Sequence, residues 1–284
     1  MQFAPASPIT RGMRIILINL ARRPDRLAAM TQKAAALGLS LDRLEALDAG
    51  LMQPPGDFFD DKGPLGEIPR GDKFCTLSHA KAWEHFVARG EDYAAVLEDD
   101  VVLTPSAGRF LKDSNWIPAG AALIKLEQYG PPGQSVLLSD FKTVVEGFQI
   151  ARMHSRHTGA AAYILSRAAA QRLLAVRRFA LPVDHLLFNP NNSPLFAELS
   201  PWQLLPAVAR QQDFVGTSSD IEGWRTSLRQ FGWTYVKREL IRFGYDLKLL
   251  PRQLALLAGG KAKFTRIGME EHRPGKIVVS SDSV

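Results

Sequence analysis

The stretch Tyr93-Ala-Ala-Val-Leu-Glu-Asp-Asp-Val-Val-Leu-Thr-Pro105 decides how the chain is read. An apolar run ends abruptly in Glu98, Asp99 and Asp100, a second apolar trio follows, and Thr104-Pro105 stops the pattern. Three adjacent carboxylates set into an apolar segment are costly to bury unless a cation or hydrogen-bond donors satisfy them. If the chain stays extended through the acids, the two-residue period of a strand sends Glu98 and Asp100 to one side and Asp99 to the other. Hard oxygens of this kind suit Mg²⁺ or Mn²⁺, which leave coordination positions open for phosphates. The competing reading is a strand end whose acids cap loop amides.

Toward the amino terminus, Ile15 to Ile18 form a nearly continuous apolar run, as in a central strand covered on both faces. Pro24 opens a helix on which Leu27, Met30, Ala34 and Leu37 recur at helical spacing, Gly38 stops it, and Leu44 to Leu47 read as a second strand. Strand, helix, strand is the opening of an α/β domain, expected here with a mostly parallel central sheet and flanking helices. Ligands of such sheets lie beyond the carboxyl ends of the strands. Asn19, Arg22 and Arg26 fall just after the first strand, where an amide and guanidinium groups suit a base or a diphosphate. A solvated helix face with local ion pairs is the alternative. Residues 50–73 read as a long loop, and Leu77 to Arg89 as a helix capped by Thr76 or Ser78, with Ala80, Trp83 and Val87 on its apolar face. Cys75 reads as a buried structural thiol.

Beyond the acidic stretch, Ala121 to Leu126 is a strand with Lys125 and Glu127 at its end, and Val144 to Ile150 and Ala160 to Leu165 extend the same domain. His157-Thr158-Gly159 precedes the last of these, where small residues permit close backbone approach to a ligand or a tightly packed strand. Ser166 is placed to cap the following helix. Isolated histidines such as His154 and His157 are more often hydrogen bonded than ligands. In Pro182-Val-Asp-His185, Asp184 suits a proton acceptor, a metal ligand or a sugar-hydroxyl partner, and His185 suits orienting it or meeting phosphate. The plain alternative is an acid favourably placed on a Pro-started helix. Gln211, Gln212, Ser218, Ser219 and Asp220 form a polar strip suited to closing over a ligand, and Trp224 and Trp233 pack or stack on sugars.

The 284 residues, 46% hydrophobic and 23% charged, fit one substantial domain, or one domain with an appendage. A single cysteine excludes an intrachain disulfide framework and supplies no zinc cluster. No apolar run is long enough to span a membrane, and the amino terminus lacks a secretory pattern, so a soluble or peripheral protein is expected. The net charge of +6 is uneven. Between Lys237 and Arg266 bases outnumber Glu239 and Asp246 and interleave with leucines, as in an element that attaches to an anionic surface; a domain-packing helix is the alternative. No zinc-finger spacing or RNA-binding aromatic pair accompanies them, so nucleic acid is not an expected partner.

Taken in order, five stretches resemble glycosyltransferase family 25, the lipooligosaccharide galactosyltransferase group that is also similar to the transferase domains of collagen-modifying enzymes. They are Ile16-Leu-Ile-Asn-Leu20 with Arg22, Asp25 and Arg26; Thr76-Leu-Ser-His-Ala-Lys-Ala-Trp83; Leu97-Glu-Asp-Asp100; Thr158-Gly-Ala-Ala-Ala-Tyr-Ile-Leu-Ser166; and Pro182-Val-Asp-His185. The resemblance implies a GT-A-like nucleotide-diphospho-sugar fold over 13–220, between a flexible leader at 1–12 and a basic, partly helical appendage at 221–284. It implies a UDP-hexose donor such as UDP-galactose, a glycan acceptor, Mn²⁺ or Mg²⁺ held by Asp100 with Asp99 and Glu98, and an inverting transfer. Asn19, Arg22 and Arg26 then lie near the donor, Ser78 and His79 belong to a motif of undefined contact, and Asp184 is nominated as base with Asp99 or Glu98 in reserve. Gly71-Asp-Lys-Phe-Cys75 departs from the common Gly-Glu-Ile-Gly-Cys pattern of the family. The lipooligosaccharide likeness favours the cytoplasm, at the inner membrane surface. A metal-dependent nucleotide-sugar hydrolase and a non-catalytic carbohydrate- or surface-binding protein are the other readings of the same residues.

Overall fold

The computed structural model describes residues 12–130, 134–212 and 233–270. Strand β1 (Arg14–Asn19) is buried from Ile15 onward, and helix α1 (Pro24–Ala36) starts on Pro24 and turns over Met30 and Ala34 before Gly38 at φ 65° reverses the chain. Strand β2 (Asp42–Glu45) follows, and after a long loop helix α2 (Arg70–Val87) leads into β3 (Tyr93–Glu98), β4 (Val101–Leu103) and α3 (Ala107–Leu111). Strands β5 (Leu123–Lys125), β6 (Glu127–Gln128), β7 (Ser135–Val145), β8 (Phe148–Met153) and β9 (Ala162–Ser166) come next. Helices α4 (Arg167–Leu174), α5 (Val183–Phe188) and α6 (Phe196–Leu199) precede β10 (Trp202–Leu205) and β11 (Ala209–Gln211). Helix α7 (Trp233–Ala258) and β12 (Ala262–Arg266) complete the described chain.

Nine strands form one sheet in the order β12-β7-β8-β10-β5-β9-β3-β1-β2, and β4-β11-β6 form a small second sheet. Each central strand feeds two cores. Ile16 and Ile18 of β1, with Ala94 and Val96 of β3, face Trp83 and Phe86 of α2 and Leu173 of α4. Ile15, Leu17, Ala95 and Leu97 face Met30 of α1 and Phe110 of α3. Burial on both faces is why these strands read as unbroken apolar runs.

The expectation of a mostly parallel sheet is overturned. Of its eight neighbour pairs, β1–β2, β1–β3 and β5–β10 are parallel, whereas β3–β9, β5–β9, β8–β10, β7–β8 and β7–β12 are antiparallel. An apolar run reports burial on both faces and is silent about strand direction. Strand β9 enters reversed between β3 and β5, and β7 turns into β8 through Glu146-Gly147, with Gly147 at φ 78°. The fold is α/β with a mixed, mainly antiparallel sheet.

Helix α2 also begins earlier than Leu77. Pro69 precedes its first turn, and the hydroxyls expected to cap it lie inside it: Thr76 Oγ1 donates to Asp72 O and Ser78 Oγ to Phe74 O, each at 2.8 Å. Ser166 does cap α4, accepting from the Ala169 N–H at 3.2 Å.

Candidate active site

The parallel part of the sheet sets the site. Register pairs Ile18 with Glu98 and Asn19 with Glu45, so the carboxyl ends of β1, β2 and β3 open at one edge. Helix α2 crosses beneath that edge. Between them lies a cleft of about 340 Å³ whose apolar wall includes Ile18, Leu47 and Phe74 and whose polar groups are Arg22, Arg26, Asp48 and the acidic stretch, with Cys75, Ser78 and His79 from α2.

Strand β3 ends at Glu98, and Asp99 and Asp100 form the turn before β4. The turn overrides the two-sided alternation expected of an extended chain, and all three acids reach the same cleft. Arg26 Nη1 lies 3.2 Å from Asp99 Oδ1 and 3.8 Å from Asp100 Oδ2. Asn19 is buried: its amide donates to Asp99 Oδ2 at 2.7 Å and to Arg23 O at 3.0 Å, and its oxygen accepts from Arg43 Nε at 3.0 Å. Arg22 Nε donates to Asp48 Oδ2 at 2.8 Å across the cleft mouth. Ser78 Oγ accepts from the Leu47 N–H at 2.9 Å and so ties α2 to the loop after β2.

Glu98 is held differently. Its Oε1 lies 3.1 Å from His79 Nε2 and 3.7 Å from Cys75 Sγ, and its Oε2 accepts from Gln211 Nε2 at 3.2 Å. Behind His79, Nδ1 is 2.9 Å from the Tyr163 hydroxyl, which accepts from Trp83 Nε1 at 2.8 Å. Indole is only a donor, so the arrangement that satisfies each group runs Trp83 to Tyr163 to His79 to Glu98, with the His79 proton on Nε2. Tyr163 is fully buried, which pushes its hydroxyl pKa well up and keeps it neutral. Cys75 is half-buried and lines the cleft, where the sequence suggested a core thiol.

A second group forms around Gly159. Asp184, on the first turn of α5, accepts from the His185 N–H at 2.9 Å and, through Oδ2, from the Gly159 N–H at 3.4 Å. Gly159 has φ 88°, and a Cβ there would sit 2.5 Å from the Tyr129 ring and 2.9 Å from Glu127 Oε1, so no other residue fits. Lys125 and Glu127 are sealed beneath it, Nζ to Oε1 at 2.6 Å with both side chains at 0% exposure. Lys125 also donates to Gly159 O and lies 4.5 Å from the Phe188 ring, and Glu127 Oε1 accepts from the Ala161 N–H at 3.0 Å. Burial pulls the Lys125 pKa down and pushes that of Glu127 up, each countered in part by the other's charge. Asp184 and Glu98 both act electrostatically on Lys125.

The structure therefore gathers Arg22, Arg26, Ser78, His79, Glu98, Asp99 and Asp100 around the cleft, with Asn19 bonded to Asp99. Asp184, His185, His157, Thr158 and Gly159 do not line it. His185 Nδ1 meets Asn189 Nδ2 at 2.8 Å. His157 is fully buried, with Nδ1 2.9 Å from Gln203 Oε1 and Nε2 3.1 Å from the Tyr129 N–H; burial and the nearby Lys125 hold its pKa down at about 3. Gln211 and Gln212 touch the acid turn, Gln212 N donating to Asp100 O at 2.8 Å, while Ser218, Ser219, Asp220 and Trp224 lie outside the described residues. Asp48 and the Trp83–Tyr163 support escaped the sequence reading. The position of Asp48 just past a parallel strand was the available signal for the first; the second joins residues eighty apart and left none.

The sequence pattern described as glycosyltransferase family 25 (LPS biosynthesis protein) matches residues 13–187. The chain is 32% identical over 160 residues to the lacto-N-neotetraose biosynthesis glycosyltransferase LgtB of Neisseria gonorrhoeae, covering 50% of this chain and 53% of that one. It is 28% identical over 215 residues to LgtB of Neisseria meningitidis serogroup A, covering 69% and 73%. Against a Bos taurus protein named "probable inactive glycosyltransferase 25 family member 3" it is 25% identical over 291 residues, covering 92% of this chain and 47% of that one. The chain thus spans about half the length of the first and third of these relatives. Because the family pattern runs through the cleft, both of its walls and α5, over more than half of the residues, the chain belongs to glycosyltransferase family 25.

Proposed function

We propose that the protein transfers a hexose, galactose in the first instance, from a UDP-sugar to a lipooligosaccharide-type glycan with inversion at the anomeric carbon. The observation that carries this reading is the convergence of Arg22, Arg26 and the Glu98-Asp99-Asp100 turn on one cleft at the ends of three parallel strands. Its volume lies within the range of roughly 300–1,000 Å³ typical of small-molecule sites. The two guanidinium groups suit the diphosphate and the apolar wall suits the uracil. The three carboxylates are a hard oxygen set that fits Mn²⁺ or Mg²⁺, with Asp100 in the lead and Asp99 and Glu98 in support. When bound, such an ion supplies charge neutralisation for the leaving diphosphate.

In the transfer, an acceptor hydroxyl oxygen bonds to the anomeric carbon, the bond from that carbon to the UDP oxygen breaks, and the hydroxyl proton passes to a carboxylate. Asp184, which lies outside the cleft lining and is oriented by the Gly159 and His185 N–H groups, is the base assigned to that proton in this reading. Acceptor identity rests on the names of the Neisseria relatives. Peripheral attachment to an anionic membrane is supported by Leu247, Leu250 and Leu254, each at least 43% exposed on α7 beside Lys248 and Arg252. Among the described residues no helix is long and apolar enough to cross a membrane.

The test incubates the protein with UDP-galactose or UDP-glucose, Mn²⁺ and an oligosaccharide panel. Glycan product is expected, lost by at least about 100-fold in Asp184→Asn. Free sugar without product would make the protein a hydrolase, and binding without turnover, the state implied by the name of the bovine relative, would make it a lectin-like scaffold.

A further inference from the structure

Cys75, His79 and Glu98 bring three different donors together in the cleft, a sulfur, an imidazole nitrogen and a carboxylate oxygen, all within 4.8 Å of one another. Cys75 and His79 are one helical turn apart on α2, and Glu98 is the last residue of β3. From Glu98 Oε1 the separations are 3.7 Å to Sγ and 3.1 Å to Nε2. Zinc bonds of about 2.3 Å to sulfur and 2.0–2.1 Å to nitrogen or oxygen put tetrahedral donors roughly 3.3–3.6 Å apart. The two separations need to change by only a few tenths of an ångström to meet that geometry.

We propose that Cys75, His79 and Glu98 form a binding site for a thiophilic transition-metal ion of the Zn²⁺ class, distinct from the all-oxygen set led by Asp100 and sharing only Glu98 with it, and that its occupation withdraws Glu98 from the transfer reaction. Thiolate with imidazole selects zinc over Mg²⁺ or Mn²⁺, for which carboxylates are the natural ligands. All three side chains line the cleft, so the fourth coordination position opens into it. The outer support is in place: the Tyr163 hydroxyl, itself anchored by Trp83, meets His79 Nδ1, and Gln211 holds the far oxygen of Glu98. On binding, the Cys75 thiol loses its proton to solvent as sulfur bonds the metal, and the His79 proton moves from Nε2 to Nδ1, the Tyr163 hydroxyl turning its own proton away so that its oxygen accepts it. One proton is released per ion. The binding site rests on the cleft geometry alone, whereas the inhibition rests on the transfer reading.

The full chain is titrated with Co²⁺ without oxygen, followed by Zn²⁺ competition, reading the thiolate-to-cobalt charge-transfer band. One equivalent is expected to bind with that band. Cys75→Ser removes the band and weakens Zn²⁺ by more than about 100-fold, beyond the 10- to 100-fold that loss of an outer partner costs. Tyr163→Phe, with all three ligands intact, keeps the band and weakens binding by about 10- to 100-fold. Asp100→Asn leaves cobalt binding unchanged. Absence of the band, binding untouched by Cys75→Ser, or binding abolished by Asp100→Asn would each overturn the site. In the transfer assay one equivalent of Zn²⁺ inhibits wild type, and Cys75→Ser loses that sensitivity; equal sensitivity in both would overturn the inhibition. Sulfur-bound cobalt in a protein that transfers no sugar would sink the transfer reading and leave the site standing.

Discussion

The turn at Glu98-Asp99-Asp100 and the pair Lys125–Glu127 both place charge at a strand end in the middle of the fold, and the molecule treats them oppositely. The acids of the turn face a cleft, and Arg26, the arginine beside Asp99 and Asp100, comes from α1. Lys125 and Glu127 are paired with each other, sealed from solvent and bonded to the backbone of Gly159 and Ala161. The first arrangement keeps ligand positions reachable. The second uses its charges to fix backbone, at a desolvation cost that is offset only while both partners are present.

The largest expected effect breaks the sealed pair. Lys125→Met leaves Glu127 buried beside no cation and should cost about 3–5 kcal/mol in urea denaturation, whereas Lys125→Met with Glu127→Leu should recover most of it. Equal losses in single and double variants would show that packing around Gly159, and not the charge pair, sets the cost. Asp100→Asn should do the reverse: transfer falls by about 100- to 1,000-fold while unfolding shifts by less than about 1 kcal/mol. A large stability loss there would erase the distinction between the two regions.

His157 sharpens the sealed side through pH. Its pKa is about 3 in the folded protein and near 6.5 when unfolded, so between those values only the unfolded chain takes up the proton. Stability from this group is full above pH 6.5 and is lost as pH falls toward 3, by up to roughly 1.4 kcal/mol per pH unit. The gap in unfolding free energy between wild type and His157→Gln should narrow on acidification; a constant gap would mean that His157 titrates normally. The smallest effect lies at the cleft mouth. Arg22 is 50% exposed in its pair with Asp48, so Arg22→Ala should change stability by less than about 0.5 kcal/mol while raising KM for the UDP-sugar. An unchanged KM would remove Arg22 from the donor site.

The features legible along the chain were local. Pro24, the Met30–Ala34 stripe and Gly38 marked α1, and Ser166 announced α4, because caps and helical periods act within a few residues. The start of α2 was hidden because Thr76 and Ser78 bond backward along the helix, which a sequence cannot distinguish from capping. The direction of β9 was hidden because a strand buried on both faces has the same composition either way.

By itself the sequence determined that acids and arginines would meet near strand ends, since apolar runs set where strands stop and polar intrusions mark the turns beyond them. Only the tertiary structure decided which of these side chains share a cleft. Long-range pairing turned a mostly parallel expectation into a mixed sheet, moved Asp184 and His157 off the cleft wall, and set a lone cysteine beside His79 and Glu98. A single cysteine in the sequence argues against a zinc cluster; a helix crossing beneath a strand end supplies the other two donors, because metal ligands need proximity in space and none along the chain.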